Sequence, residues 1–266
     1  MSARPRVSPA PAAKRAPGAP GAPKVTLSRL EEKKALGEPI VMVTAYDHPS
    51  ASVAEAAGVD VVLVGDLPFG SYEASDEQAI LTAQRFIKEA GCDAVKIERG
   101  GSSADRAAAI VGAGIPVMGH VGLTPQSATA LGGYRSQGRT AERALEVVED
   151  ALALQDAGCF SLVFEAVPSQ LTEMVMPRLE IPVIGIGAGP ATDGQVLVFH
   201  DLLGIYDGHA ARFVKRYANV RDQMVAGVHA FAEDVRARRY PEPEHGYTMA
   251  PDERERLEGL LSGDRN

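Results

Sequence analysis

The sequence has 266 residues, of which 45% are hydrophobic and 23% are charged, and its formal net charge is -8. This length fits one large α/β domain or two small ones, and the acidic balance argues against a nucleic-acid surface. Two cysteines imply no disulfide framework. No apolar run approaches the ~20 residues of a membrane span, and no signal peptide is apparent, so we expect a cytoplasmic protein.

The two ends of the chain differ from its middle. Residues 1–26 are rich in Pro, Ala, Gly, Arg and Lys and lack acidic residues, which predicts a disordered tail. A transit peptide is the alternative, but the many prolines and the lack of an apolar face argue against it. Residues 246–266 are predicted to form a C-terminal tail with a short helix near 252–261. The catalytic domain is therefore expected within 27–245.

In this middle region short apolar runs alternate with helical patterns, which predicts a parallel sheet covered on both faces. The runs are 40–45, 61–65, 94–97, 115–118, 160–164, 181–186 and 195–199. Helical periodicity marks 76–90, 103–113 and 140–157, and further helices are predicted at 210–217 and 219–239. Seven strands without a GxGxxG opening favour a barrel over a doubly wound sheet.

Polar residues follow these strands, where a barrel places its active site. Lys96 and Glu98 alternate on one strand, so they share a face, either the interior or an exterior covered by helices. Glu165 at a buried strand end could be functional or a helix cap, and His120 could be structural or functional. The glycines of 185–189 could admit a ligand or serve tight packing.

The residue types suggest an enolate chemistry. Asp66 and Glu98 are oxygen ligands that suit Mg²⁺, and a metal ion chelated by a 2-oxo acid would stabilise an enolate. Lys96 could add positive charge at the developing oxyanion. Glu165 could remove the proton α to the carbonyl if burial raises its pKa.

Several motifs together resemble the ketopantoate hydroxymethyltransferase family. They are TAYD at 44–47, VGD at 64–66, DLPF at 66–69, VKIE at 95–98, GHVGLTPQ at 119–126, GGY at 132–134, EAVP at 165–168, IPVIGIGAG at 181–189 and TDGQ at 192–195. The resemblance covers about 25–245. It implies a (β/α)₈ TIM-type barrel of the phosphoenolpyruvate/pyruvate superfamily, with C-terminal helices.

The resemblance also implies an activity and site roles. The family transfers a hydroxymethyl group from 5,10-methylenetetrahydrofolate to 3-methyl-2-oxobutanoate, giving 2-dehydropantoate for pantothenate and coenzyme A synthesis. It uses Mg²⁺ and forms cytoplasmic homo-oligomers, commonly decamers. Glu165 corresponds to the catalytic base and Glu98 to a metal ligand, while Lys96 and His120 correspond to groups around the keto acid. Asp66 corresponds to both a metal ligand and a substrate contact.

The chain departs from the family pattern at Asp66. The family has a Val-Gly-Asp-Ser strand end and, one helix and strand later, a separate Asp-Leu-Pro-Phe end, and both aspartates bind the metal. Here the two junctions are fused, so a unit of about 40 residues is missing, and Leu67 replaces the serine. Arg99 also stands where the family usually has Gly. A barrel without this unit would have an open edge, a strained seven-stranded closure or a repaired sheet.

Three functions follow from these observations. The first is an active hydroxymethyltransferase, whose Mg²⁺ and keto-acid binding and turnover we expect to be impaired by the deletion. The second is a catalytically inactive homologue that keeps only assembly or ligand binding. The third is a lyase of the same superfamily, which the absence of cysteine from the loops after the strands disfavours.

Overall fold

The computed structural model describes residues 24–68, 70–98, 103–127, 136–208 and 210–263. Its strands are β1 (Ile40–Thr44), β2 (Val61–Leu63), β3 (Val95–Glu98), β4 (Val117–Gly122), β5 (Ser161–Glu165), β6 (Val183–Ile186) and β7 (Gly194–Val198). Its α-helices are α1 (Leu27–Leu36), α2 (His48–Ala56), α3 (Asp76–Glu89), α4 (Ser103–Gly112), α5 (Ala141–Asp156), α6 (Ser169–Val175), α7 (Phe199–Leu202), α8 (Val220–Arg236) and α9 (Pro251–Gly263). Short 3₁₀ turns cover Pro125–Ser127, Met176–Arg178 and Pro243–His245.

The helices begin where the sequence supplies side-chain caps. Thr26, Ser75 and Thr140 precede α1, α3 and α5, and each side chain accepts a hydrogen bond from a backbone N–H of the first turn. Such caps satisfy amides that have no partner within the helix. Gly37 ends α1 with φ of 67°, a left-handed conformation that glycine adopts without steric cost. Local sequence therefore sets these helix boundaries.

The seven strands form one parallel sheet in the order β2-β1-β7-β6-β5-β4-β3. Neighbouring strands in this sheet are consecutive in the chain, except that the first strand, β1, also pairs with the last, β7. This is the order around a barrel with one position left open, between β2 and β3. The predicted seven strands and the predicted loss of one βα unit are both confirmed. Of the three outcomes considered for the barrel, the structure shows the open edge: the sheet is curled but does not close.

The open position is bridged at one level of the sheet, by the chain that follows β2. The amide of Leu67 donates to the carbonyl of Lys96 in β3 over 2.8 Å, and the Leu67 side chain is buried. The Gln126 side chain donates to the Leu67 carbonyl over 3.0 Å. Before this point Val64 is 60% exposed. We call residues 64–67 and the gap beside them the seam. At the seam the chain after β2 therefore bonds to β3 only near the carboxyl ends of the strands.

The core has two layers, as expected for strands buried on both faces. The outer layer lies between the sheet and helices α3 to α6 and includes Ile97, Leu162 and Phe164. The inner layer includes Met118 and Ile184 with residues of β1, β5 and β7. Both layers are mainly aliphatic, so the polar side chains described below stand out against an apolar interior.

The predicted helix at 210–217 is wrong. Among the described residues of this segment there are turns, and Phe213 packs so closely against Gly187 that a β-carbon there would lie 2.5 Å from its ring. Packing against the sheet thus overrides the local helical pattern. The predictions of helices at 219–239 and near 252–261 are confirmed by α8 and α9.

The chain divides into two compact units, one up to Tyr217 and one from Ala218 onward. The second contains α8 and α9, and no residue of either helix is buried. The predicted bounds 27–245 and 246–266 stay a prediction, and residues 1–23 of the predicted disordered tail lie outside the described residues. No helix in the described ranges is long and apolar enough to cross a membrane.

Candidate active site

Strand register brings the predicted polar residues to one place. Glu98 at the end of β3 lies beside His120 of β4, and in parallel pairing such partners point to the same face. Lys96 lies beside Met118 of the inner core layer. Lys96, Glu98 and His120 are all buried. The interior location predicted for Lys96 and Glu98 therefore agrees with the register.

Asp66 joins this group from the seam. Its carboxylate contacts the ammonium of Lys96, and its Oδ2 lies 3.3 Å from Nδ1 of His120. The Lys96 Nζ is also 3.1 Å from the same His120 nitrogen. The Leu67 hydrogen bond to β3 positions Asp66 here because it fixes the adjoining peptide.

The two glutamates lie on different sides of the imidazole ring. Glu165 Oε2, at the end of β5, is 3.2 Å from His120 Nε2. Glu98 Oε1 is 4.0 Å from His120 Nδ1. The backbone N–H of Gln126 donates to Glu98 Oε2 over 3.2 Å. The ring therefore separates Glu165 from the cluster formed by Asp66, Lys96 and Glu98.

Burial and charge shift the acidities of three of these groups. Burial raises the pKa of Asp66, but the contact with His120 and the charge of Lys96 outweigh it, so the pKa of Asp66 lies well below the usual range. Burial raises the pKa of Glu98 to about 7, against the charge of His120 and with the help of nearby Asp66. Burial and the charge of Lys96 lower the pKa of His120. The nearby carboxylates of Asp66 and Glu165 raise it by more, so the pKa of His120 lies above its ordinary value.

The cluster fits a divalent cation. One ligand atom each from Asp66, Glu98 and His120 lies within 4.8 Å of the others, and this is the one such group of three found within the described ranges. Carboxylate oxygens are ligands for Mg²⁺, and a buried imidazole also binds metals. The Lys96 ammonium contacting Asp66 shows that this point attracts a positive charge. The metal pair predicted from sequence, Asp66 and Glu98, is thus brought together with His120.

Two features of the site were not predicted. Gln126 links the seam to Glu98 through its side chain and its amide, although sequence reasoning gave it no role within the GHVGLTPQ motif. Ala166, directly after Glu165, has a φ of 49°. A non-glycine residue in this left-handed region stores strain, which is common beside functional groups. No sequence signal marks that conformation.

Some predicted features fall elsewhere. Gly187 and Gly189 have positive φ, and a β-carbon at either would collide with Phe213 or Ser169. Packing alone therefore accounts for these two glycines of 185–189, although a ligand contact there stays a prediction. Arg99 and the GGY motif at 132–134 lie outside the described residues.

Comparison with known proteins accords with this geometry. The family profile described as ketopantoate hydroxymethyltransferase matches residues 24–67 and again 64–243. The 3-methyl-2-oxobutanoate hydroxymethyltransferase of Carboxydothermus hydrogenoformans is 42% identical over 273 aligned positions, covering 88% of this chain and 99% of the relative. That of Moorella thermoacetica is 44% identical over 263 positions, covering 84% and 98%. Among solved structures, a phosphonopyruvate hydrolase aligns with 12% identity and a TM-score of 0.49, covering 90% of this chain and 99% of its own.

The alignments also locate the missing unit. Residues 64–67 are matched by both segments of the profile. The first alignment spans 273 positions but covers 88% of 266 residues, so about 40 of its positions have no counterpart here, roughly the size of a βα unit. The fused junction predicted at Asp66 is confirmed. The chain belongs to the ketopantoate hydroxymethyltransferase family.

Proposed function

We propose that this chain transfers a hydroxymethyl group from 5,10-methylenetetrahydrofolate to 3-methyl-2-oxobutanoate, giving 2-dehydropantoate for pantothenate and coenzyme A synthesis. One observation carries the proposal: a carboxylate, Glu165, lies 3.2 Å from a buried imidazole that also contacts Asp66, at the ends of strands from three parts of the chain. A keto acid bound beside Glu165 and His120 would contact a base, Glu165, and a cationic group, Lys96, at the same time.

Glu165 is the proposed catalytic base. Its side chain is 17% exposed, more than those of Asp66, Lys96, Glu98 and His120, so it is the acid best placed to meet a substrate. It would remove the proton from the carbon next to the carbonyl. His120 Nε2 lies 3.2 Å from this carboxylate.

The remaining groups bind and polarise the keto acid. Lys96, with Asp66 and His120 beside it, would place positive charge at the carbonyl oxygen where negative charge develops. Asp66 and Glu98 would hold the divalent cation, Mg²⁺ by the family resemblance, which supplies further positive charge at that oxygen when bound. A homo-oligomer, a decamer by the same resemblance, and a cytoplasmic location stay predictions.

The test is formation of 2-dehydropantoate by the purified chain with methylenetetrahydrofolate, the keto acid and Mg²⁺. Glu165→Gln should lower kcat by about 10²–10⁴-fold, the usual contribution of a positioned base. Glu173→Gln on α6 is the matched control, because that glutamate is exposed. Equal rates for both variants and the unchanged chain would exclude Glu165 as the base.

A catalytically inactive homologue is the second candidate. The open seam favours it, because the fusion leaves one carboxylate where the family pattern has two. Calorimetric titration with Mg²⁺ and the keto acid separates the two proposals. A metal-dependent heat without product would indicate retained binding alone, and no heat would indicate loss of the site.

A further inference from the structure

The metal ligands of this chain can be inferred more fully from the orientation of His120. Its Nδ1 faces Asp66 Oδ2 at 3.3 Å and Glu98 Oε1 at 4.0 Å. An octahedral ion with bonds of about 2.1 Å keeps neighbouring ligand atoms about 3.0 Å apart and opposite ones about 4.2 Å apart. These two separations lie between these values, and all three ligand atoms lie within 4.8 Å of one another, so one ion could bind all three after small side-chain movements.

The other ring nitrogen lies beside a carboxylate, as it does in many metal-binding histidines. Nε2 lies 3.2 Å from the Glu165 carboxylate. Nε2 makes no hydrogen bond in the structure, but a small rotation of the Glu165 side chain would let a proton on Nε2 be donated to this carboxylate. That proton leaves a lone pair on Nδ1, and such a carboxylate partner fixes the tautomer and orientation of a ligating imidazole. The ring is buried between strands, so this lone pair can point only into the cluster.

A cation already lies beside that nitrogen. The Lys96 ammonium contacts Asp66 and is 3.1 Å from Nδ1. An ammonium has only donors, so with the proton on Nε2 it faces the Nδ1 lone pair. A divalent cation would take the same partners and displace this contact.

We infer that His120 Nδ1 is the third protein ligand of the divalent cation, beside Asp66 and Glu98, and that it biases the site towards transition-metal ions over Mg²⁺. Imidazole nitrogen suits Zn²⁺, Fe²⁺ and related ions, whereas Mg²⁺ prefers oxygen. The inference rests on the proposed function only in sharing its metal site. It moves His120 from the keto acid, where the family resemblance places it, to the metal.

The decisive experiment uses Mn²⁺ bound to the full chain after removal of metals by chelation. Electron spin echo modulation detects a nitrogen nucleus directly bound to Mn²⁺. We expect ¹⁴N modulation that is replaced by the ¹⁵N pattern when the histidines alone are labelled. Bound Mn²⁺ without histidine nitrogen coupling would overturn the inference, and so would failure to bind Mn²⁺. No substitution is needed, so folding of a variant does not enter.

A variant tests the selectivity. His120→Asn should weaken Zn²⁺ binding about tenfold but Mg²⁺ binding less than about threefold, measured by competition with a fluorescent zinc indicator and by displacement of Zn²⁺ with Mg²⁺. His48→Asn is the control, because that histidine is exposed on α2 at the same end of the sheet. Equal losses for both ions, or no loss, would contradict the bias towards transition metals.

The outcomes separate this inference from the proposed activity. Histidine coupling without formation of 2-dehydropantoate would support the inference and overturn the proposed function. Product formation with Mn²⁺ bound through oxygen alone would support the proposed function and overturn the inference. The spectroscopic readout makes this separation possible, because it does not depend on turnover.

Discussion

The contribution of the seam to stability can be measured through Leu67. This side chain is 2% exposed and packs in the outer core layer, while its amide bonds to Lys96 in β3. Leu67→Ala removes the packing and keeps the backbone bond. Buried Leu→Ala substitutions cost about 2–5 kcal/mol. The gap beside the seam lets neighbours relax, so we expect the lower part of this range, about 2–3 kcal/mol.

The assay is thermal unfolding followed by circular dichroism on the unchanged chain and two variants. Each kcal/mol shifts Tm by about 2–4 °C in a protein of this size, so Leu67→Ala should lower Tm by about 5–10 °C. Leu81→Ala on α3 is the control, because Leu81 is 52% exposed and should change stability by less than about 0.5 kcal/mol.

A Tm for Leu67→Ala within about 2 °C of the control would refute this reasoning. It would mean that Leu67 is not packed against β3, and the position of neighbouring Asp66 would then lack its support. A large loss of stability together with weaker Mn²⁺ binding would show that the same residue closes the seam and positions the carboxylate.

Three further results are expected. Asp193→Ala should lower Tm more than Lys34→Met, because Asp193 Oδ2 accepts from both Lys34 and the Val183 amide, and an amide left unpaired costs about 1–3 kcal/mol; equal shifts would contradict this. Burial raises the pKa of Cys159 to about 12, so Ellman's reagent at pH 8 should react quickly only with the partly exposed Cys92, and fast reaction of two thiols would argue against burial. Turnover should be more than about tenfold below that of the Carboxydothermus relative, about 1.4 kcal/mol of barrier, and a smaller difference would show that the deletion is tolerated.

The strands could be predicted because their composition reflects their burial. Parallel strands covered on both faces are continuous runs of Val, Ile and Leu, and all seven runs coincide with observed strands within a few residues. The even spacing of Lys96 and Glu98 also predicted their shared face. These inferences succeeded because they depend on local pattern alone.

Inferences that depend on contacts distant in sequence were weaker. Residues 210–217 have a helical composition, but Phe213 packs against Gly187 in a turn. The sequence also could not show that His120 lies between Asp66 and Glu165, since that follows from strand register and from the course of the seam. Tertiary packing decides the conformation of 210–217 and the surroundings of His120, and neither can be read from the local sequence pattern.

The double match of residues 64–67 has a physical counterpart in the seam. These residues follow β2, which pairs with β1, yet by Leu67 the backbone bonds to β3. The chain thus crosses the position of the lost strand and retains only its carboxyl end. Barrel active sites are built from those ends, so Asp66 still reaches Lys96 and His120. The lost part of the strand would have closed the sheet below the site. We therefore expect the deletion to affect barrel stability and metal affinity more strongly than the arrangement of Glu165 with His120.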